Sequence, residues 1–233
     1  MLSIVLPVHN EEKNIPLIGK KYQKLSKKFA HELIFVEDSG SSDGTRTQIE
    51  KLATIDPRIR FIFTKQKGYG YSIRNGLKKA QGEYVCWTHA DLQTDLGDAL
   101  RAYEIMIASA EPKKTFIKGQ RYGRPAFDTF FTVGMSVLET VTLKTLMHDI
   151  NAQPNLFHQS FLKHLNNAPG DFSFDLFAYY QAKKLGYTMK RFPVNFAKRI
   201  HGHSHWNTSW KEKWKFIKRT LEFTNRLKKT IES

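Results

Sequence analysis

"ELIFVEDSGSSDGT", residues 32–45, decides the fold. Leu33 to Val36 form a short apolar, β-rich run that ends on Glu37 and Asp38. A Ser/Gly turn follows, and Asp43 stands where a carboxylate caps the next helix. A strand that closes on a polar turn and passes into a helix is the first half of a βαβ unit. The same punctuation recurs on both sides. "LSIVLPV" (2–8) reads as a strand before a helix over 12–29, and "ELIFVED" (32–38) precedes a helix over 43–53. "IRFIFT" (59–64) precedes a helix over 70–80, "EYVCW" (83–87) one over 95–109, and "KTFIKG" (114–119) closes the series as a strand. This alternation predicts an α/β, Rossmann-like fold: a mainly parallel sheet with helices on both faces.

The second half is less regular. It holds an aromatic stretch, "AFDTFFTVGMSVLETVTLKTL" (126–146), a turn region, "HDINAQPNLF" (148–157), a helix over 173–185 and a strand, "TMKRFPVNF" (188–196). A basic segment begins at Trp206, so the expected organisation is a catalytic domain over 1–205 and a helical tail over 206–233.

Composition narrows the function classes. With 37 Lys and Arg against 22 Asp and Glu, the formal charge is +15, which calls for an anionic partner: nucleotide phosphates, an acidic membrane surface or nucleic acid. The single cysteine, Cys86, excludes an internal disulfide and sits in an apolar strand, as a buried inert thiol does. No run approaches the roughly 18 apolar residues of a transmembrane helix, and the N-terminus has no signal-peptide pattern. The expectation is a cytoplasmic protein, with any membrane contact peripheral at the inner face.

Ligands of parallel sheets bind beyond the carboxyl ends of the strands. Those ends here read "PVHNEE", "VEDSGSSDGT" and "THADLQTD". Asp38, at one such mouth, is placed to accept a hydrogen bond from a nucleobase N–H. "KGYGYSIRNG" lacks the spacing of a dinucleotide fingerprint, and no P-loop is present. In "HADLQ" the side chains of His89, Asp91 and Gln93 alternate, so an extended loop projects all three to one side. The loop is either a metal site in which His89 replaces a carboxylate or a polar turn after a buried strand. As a metal site it suits Mg²⁺ or Mn²⁺ bridged to a diphosphate, the imidazole favouring Mn²⁺.

"SIVLPVHNEEKNI", "VEDSGSSDGT", "GYGYSIRNGLKKAQGEYV", "HADLQTD" and "KGQRYG", in this order and spacing, resemble family 2 glycosyltransferases of the GT-A fold, above all the branch of polyprenol-phosphate mannosyl- and glucosyltransferases. The likeness runs through "DINAQPNLF" to "RIHGHSHW", about residues 2–206. It implies an inverting transfer of a hexose from a UDP- or GDP-sugar to a polyprenyl phosphate, another lipid-linked acceptor or a saccharide, assisted by Mn²⁺ or Mg²⁺. By the same resemblance Pro7, His9 and Glu11 lie near base and ribose, and Asp38 contacts the base. Asp91 and Gln93 are the retained part of the metal motif, with His89 in place of its usual first Asp. Arg121 and Arg199 hold the diphosphate, and His205 stands where lysine is commonest. Asp149 lines the acceptor site, either as a base or as a structural group.

In the tail, Trp206, Trp210, Trp214, Ile217 and Leu221 form one apolar stripe among Lys211, Lys213, Lys215, Lys218 and Arg219. Such a helix suits an anionic membrane surface or packs its stripe on the catalytic domain. The rival function is a non-catalytic nucleotide-sugar or nucleic-acid binding protein with a decayed metal site. No nucleic-acid motif supports it, and nucleic acid is not an expected partner. A nucleotidyltransferase is disfavoured because the loop after the first strand is acidic.

Overall fold

The computed structural model describes residues 1–25, 28–201 and 210–232, with backbone alone at 126–127, 210–213, 215–216 and 228–232. His205, Trp206 and the expected domain boundary between them lie outside the described residues, as does the side chain of Trp210.

The alternation read from the sequence folds as expected through the first half. Strand β1 (Leu2–Val8) leads to helix α1 (Ile15–Gln23), β2 (His31–Asp38) to α2 (Thr45–Ile55), β3 (Ile59–Thr64) to α3 (Tyr69–Lys79), and β4 (Tyr84–Trp87) to α4 (Gly97–Ile107). Then come β5 (Thr115–Tyr122), α5 (Ala126–Leu143), β6 (Asn155–His158), α6 (Ser173–Lys184), β7 (Thr188–Asn195) and α7 (Trp210–Glu232). Helix α1 is shorter than expected, because Pro16 lies in its first turn and the chain turns out of the helix at Lys24.

Among the described residues seven strands are ordered β3-β2-β1-β4-β6-β5-β7, and of these only β6 runs antiparallel to its neighbours. From β1 the chain proceeds outward through β2 and β3, then returns to place β4 on the other side of β1. The crevice between the exits of β1 and β4 is therefore a topological switch point, where a doubly wound sheet receives its ligand.

Side chains on one face of the sheet, Leu2, Ile4 and Leu6 among them, pack with Ile15, Ile18 and Tyr22 of α1, Ile49 of α2 and Ala99 to Met106 of α4. On the other face, Val5, Val85, Trp87, Phe116 and Phe157 pack with Ile73 and Leu77 of α3, Phe174 to Ala182 of α6 and Leu227 of α7. Helices cover both faces, as the alternation predicts. Cys86 is fully buried in β4, and burial pushes its thiol far above the usual range, as expected of an inert group.

Of the apolar stripe on α7, Ile217 and Leu221 are half-buried. Leu227 and Thr224 are buried and Phe223 packs into the core, whereas Trp214 is 65% exposed. Among the described residues no helix is long and apolar enough to cross a membrane.

Candidate active site

Three polar junctions close the carboxyl end of the sheet. Asp38, 6% exposed, is the first. Its Oδ1 accepts from His9 Nδ1 at 2.8 Å and from the Gly40 amide at 3.0 Å, and its Oδ2 accepts from the Gly68 amide at 3.1 Å. One carboxylate thus ties together the exits of β1 and β2 and the loop entering α3. Oδ1 has both lone-pair sites taken, whereas Oδ2 keeps capacity for a further donor. Pro7 lies half-buried in β1 beside Val36 of β2, one turn of pleat behind His9.

The loop after β1 is clasped to the start of α2. The Glu11 amide donates to Thr45 Oγ1 at 2.8 Å, the Glu12 amide to Asp43 Oδ2 at 3.2 Å, and the Gly44 amide back to Glu12 Oε2 at 3.1 Å. Asp43 also accepts from the Thr45 amide at 3.0 Å, but the N-cap of α2 is Gly44, so Asp43 bonds the helix start from one residue ahead of the cap position expected of it. Held this way, the Glu11 side chain is partly buried. Burial, reinforced by nearby Asp91, pushes its carboxyl up to about 7 against the opposing pull of Asn14 and Arg199.

The second junction is the loop opened by β4. Asp91 Oδ1 accepts from the Gln93 amide at 3.1 Å, a turn that places Leu92 in the left-handed region at φ 59°. Gln93 then zips to the segment after β7: its Nε2 donates to the Ala197 carbonyl at 3.1 Å and its carbonyl accepts from the Ala197 amide at 2.8 Å. Arg199 completes the junction. Its NH2 lies 2.9 Å from Asp91 Oδ2 and its Nε donates to Gln93 Oε1 at 3.0 Å. Glu11, Asp91, Gln93 and Arg199, drawn from two ends of the chain, therefore meet at the switch point.

The third junction joins Arg121, at the end of β5, to Asp149. The Arg121 amide donates to Asp149 Oδ2 at 2.9 Å, Nε donates to Oδ1 at 2.8 Å, and NH2 donates to Oδ1 as well. Burial alone would raise the Asp149 carboxyl, but the Arg121 charge and its hydrogen bonds hold it below the usual carboxylate value. The sequence suggests separate duties for these two, and the fold makes them one unit.

His89 lies on a floor the sequence did not reveal. Its ring sits 5.6 Å from that of Tyr69, which stacks on Phe172 at 4.6 Å. Tyr69 Oη donates to Asp175 Oδ2 at 3.0 Å, while Trp87 Nε1 and Gln153 Nε2 each donate to Asp175 Oδ1 at 2.9 Å. The Gly68 and Gly70 spacing was the available signal: at Gly70 an added Cβ would lie 2.2 Å from the Pro169 carbonyl oxygen, so only glycine lets α3 start against that loop.

The donor chemistry fits a divalent cation of one kind. Asp91 Oδ2 and Gln93 Oε1 already converge on a positive charge, the guanidinium of Arg199. Among the described residues no three of His, Cys, Asp and Glu cluster as an ion-holding group. One carboxylate and one amide oxygen suit an ion that completes its shell on substrate phosphate and water, while the described ring contact of His89 is with Tyr69.

A family model described as "Glycosyl transferase family 2" matches residues 3–164, from β1 past β6. The chain belongs to glycosyl transferase family 2. Among its relatives in this family, undecaprenyl-phosphate 4-deoxy-4-formamido-L-arabinose transferase of Proteus mirabilis is 32% identical over 127 residues, which are 53% of this chain and 37% of that protein. The chain thus spans well under half the length of the curated relatives it matches. Glucosyl-3-phosphoglycerate synthase from Mycobacterium tuberculosis, solved with Mn²⁺, UDP and glucosyl-3-phosphoglycerate, superposes with a TM-score of 0.72 at 16% identity, over 98% of this chain and 79% of that one. A mannosyltransferase from Pyrobaculum calidifontis, solved with GDP-Man and Mn²⁺, gives 0.63 at 20% identity, over 87% and 58%. The family 2 chain therefore has the GT-A fold, with its three junctions at the ligand-binding end of the sheet.

Proposed function

We propose that this chain transfers a hexose, with inversion, from a UDP- or GDP-sugar to a polyprenyl phosphate or another lipid-linked acceptor, assisted by Mn²⁺ or Mg²⁺. The observation that carries this reading is the meeting of Asp91, Gln93 and Arg199 at the switch point, beside the Asp38 cradle. The names of similar proteins support parts of it: the Proteus mirabilis relative is named for undecaprenyl phosphate, though its sugar is an arabinose derivative and so a pentose, and the two solved neighbours hold UDP or GDP-Man with Mn²⁺.

Each residue then has a duty. Asp38, oriented by His9, Gly40 and Gly68, accepts from the nucleobase, with Pro7 and Glu11 along base and ribose. Arg199 and the remaining edge of Arg121 face the diphosphate, for which a guanidinium fork is suited. Asp91, His89 and Gln93 hold the cation, which when bound neutralises charge on the leaving nucleoside diphosphate. An acceptor oxygen attacks the anomeric carbon, and the sugar–phosphate C–O bond breaks with its electron pair leaving on the nucleoside diphosphate. A phosphate acceptor is ionised already and needs no base. Asp149, kept ionised by Arg121, fits the duty of holding that arginine better than that of taking a proton.

A lipid acceptor is supported by the surface of α5. Phe130 is 78% exposed and Val141 72%, with Val133, Val137 and the nearby Leu146 also exposed. A patch of that kind on a soluble surface marks an interaction site. The test offers radiolabelled UDP- and GDP-sugars together with vesicles containing polyprenyl phosphate. Label should pass to the lipid in the wild type and not in Asp91→Ala. Transfer that survives in Asp91→Ala would remove that residue from the reaction.

A further inference from the structure

The two side-chain oxygens best placed to hold the cation, Asp91 Oδ2 and Gln93 Oε1, are both engaged by one guanidinium, at 2.9 and 3.0 Å. Arg199 reaches them from the segment after β7, which is itself pinned by the paired bonds between Gln93 and Ala197. The arrangement is a built one: a planar cation bridges a carboxylate and an amide oxygen that lie two residues apart in the same loop. Across the switch point Asp91 and Asp43 raise the neighbouring Glu11 carboxyl and the Arg199 guanidinium lowers it. The one carboxylate of the pair is therefore already matched by a positive charge.

We infer that Arg199 is a resident stand-in for the metal: without nucleotide it occupies the cation's place on Asp91 and Gln93, and cation and nucleotide enter together. The inference rests on the functional reading above and specifies how that site is loaded. A diphosphate offers the guanidinium two ionised oxygens in the fork geometry it prefers, a better partner than one carboxylate oxygen and a neutral amide. As Arg199 turns to the diphosphate, Asp91 and Gln93 lose their positive neighbour and become available to an ion. Cation binding and nucleotide binding must then favour one another, and by linkage each strengthens the other by the same factor. The substitution of His89 for an acidic residue accords with this design, because a loop with a second carboxylate would hold an ion without waiting for the nucleotide.

The probe is Mn²⁺ itself, followed by the loss of the free-ion electron paramagnetic resonance signal, with no sugar transfer required. Wild-type protein should bind Mn²⁺ weakly alone and far more tightly with UDP or GDP present. In Arg199→Gln, Mn²⁺ affinity without nucleotide should rise by about tenfold or more, roughly the worth of one well-made charged contact, and the gain on adding nucleotide should shrink. Arg199→Lys, which keeps the charge without the fork, should fall between. Unchanged or weakened nucleotide-free binding in Arg199→Gln would overturn the inference while leaving the glycosyltransferase reading standing. If no variant, wild type included, binds Mn²⁺ with either nucleotide, the functional reading itself fails and this inference with it.

Discussion

Arg121 meets Asp149 through three donors, its backbone amide, Nε and NH2, and both oxygens of the carboxylate are taken. The side chains are only 9% and 6% exposed, so the pair behaves as a buried ion pair. Removing one partner of such a pair costs about 3–5 kcal/mol because the other charge is left uncompensated. Asp149→Ala should lower stability by an amount of that order in urea titrations, with Asp149→Asn costing less. Because the folded carboxyl lies below its unfolded value, its contribution is complete above about pH 4 and is lost only as pH falls below that. A transfer rate in Asp149→Asn that falls while its pH profile near neutrality keeps its shape would mark Asp149 as the holder of Arg121. A lost acid limb would mark it as a base.

Glu11 should give the metal-free protein a pH-dependent stability near neutrality. Its folded carboxyl titrates at about 7, above the unfolded value, so the fold favours the protonated form. Stability is greatest below the unfolded value, declines as pH rises toward 7 and levels off beyond it. With a chelator present, Glu11→Gln should show a flatter dependence of Tm on pH between 5 and 7.5, on the order of the range those two values span. A slope equal to wild type would place the titration elsewhere.

Glu139 is the second such group, and it lies between α5 and α7. It is fully buried, accepts only from Thr224 Oγ1 at 2.7 Å, leaves Oε1 without a partner among the described residues, and is pushed up to about 7 by burial. Its sign is that of Glu11: the protonated form is favoured and stability declines as pH rises toward 7. Glu139→Gln should therefore stabilise the protein at pH 8, and the double variant with Glu11→Gln should flatten the profile further than either alone. Destabilisation at pH 8 would show that the ionised carboxylate has a partner.

Two glycines should respond in opposite directions to the same change. Gly70→Ala drives a methyl into the backbone of Pro169, Gly170 and Asp171 and should cost about 1–3 kcal/mol, the usual range for overpacking. Gly134, inside α5, has nothing within 4 Å of an added Cβ, so Gly134→Ala should stabilise by about 0.5–1 kcal/mol through helix propensity. Thermal melts of the two variants check both signs, and equal shifts would contradict the packing described.

The sequence made the strand-turn-helix series legible because β1, β2 and β4 are largely apolar runs that stop at acidic loops. It also brought Asp38, Asp91 and Gln93 to strand mouths, where the fold places them. Strand β6 escaped because four residues, Asn155–His158, following Pro154, carry no period of their own and read as part of a turn. Helix α5 lay hidden in a stretch whose Phe, Val and Thr residues favour strands, while its helical face is partly exposed. The pairing of Arg121 with Asp149 depends on the order β6-β5-β7, and that of Asp175 with Tyr69 on a contact across 106 residues. Neither leaves a local pattern to read.

The most direct test of the central claim is calorimetric titration of the protein with UDP and with GDP, each with and without Mn²⁺. One nucleotide should bind, more tightly with the ion than without, and the binding should weaken in Asp38→Ala and lose its Mn²⁺ dependence in Asp91→Ala. Absence of heat from both nucleotides under every condition would contradict the assignment of this crevice to a nucleotide-sugar donor.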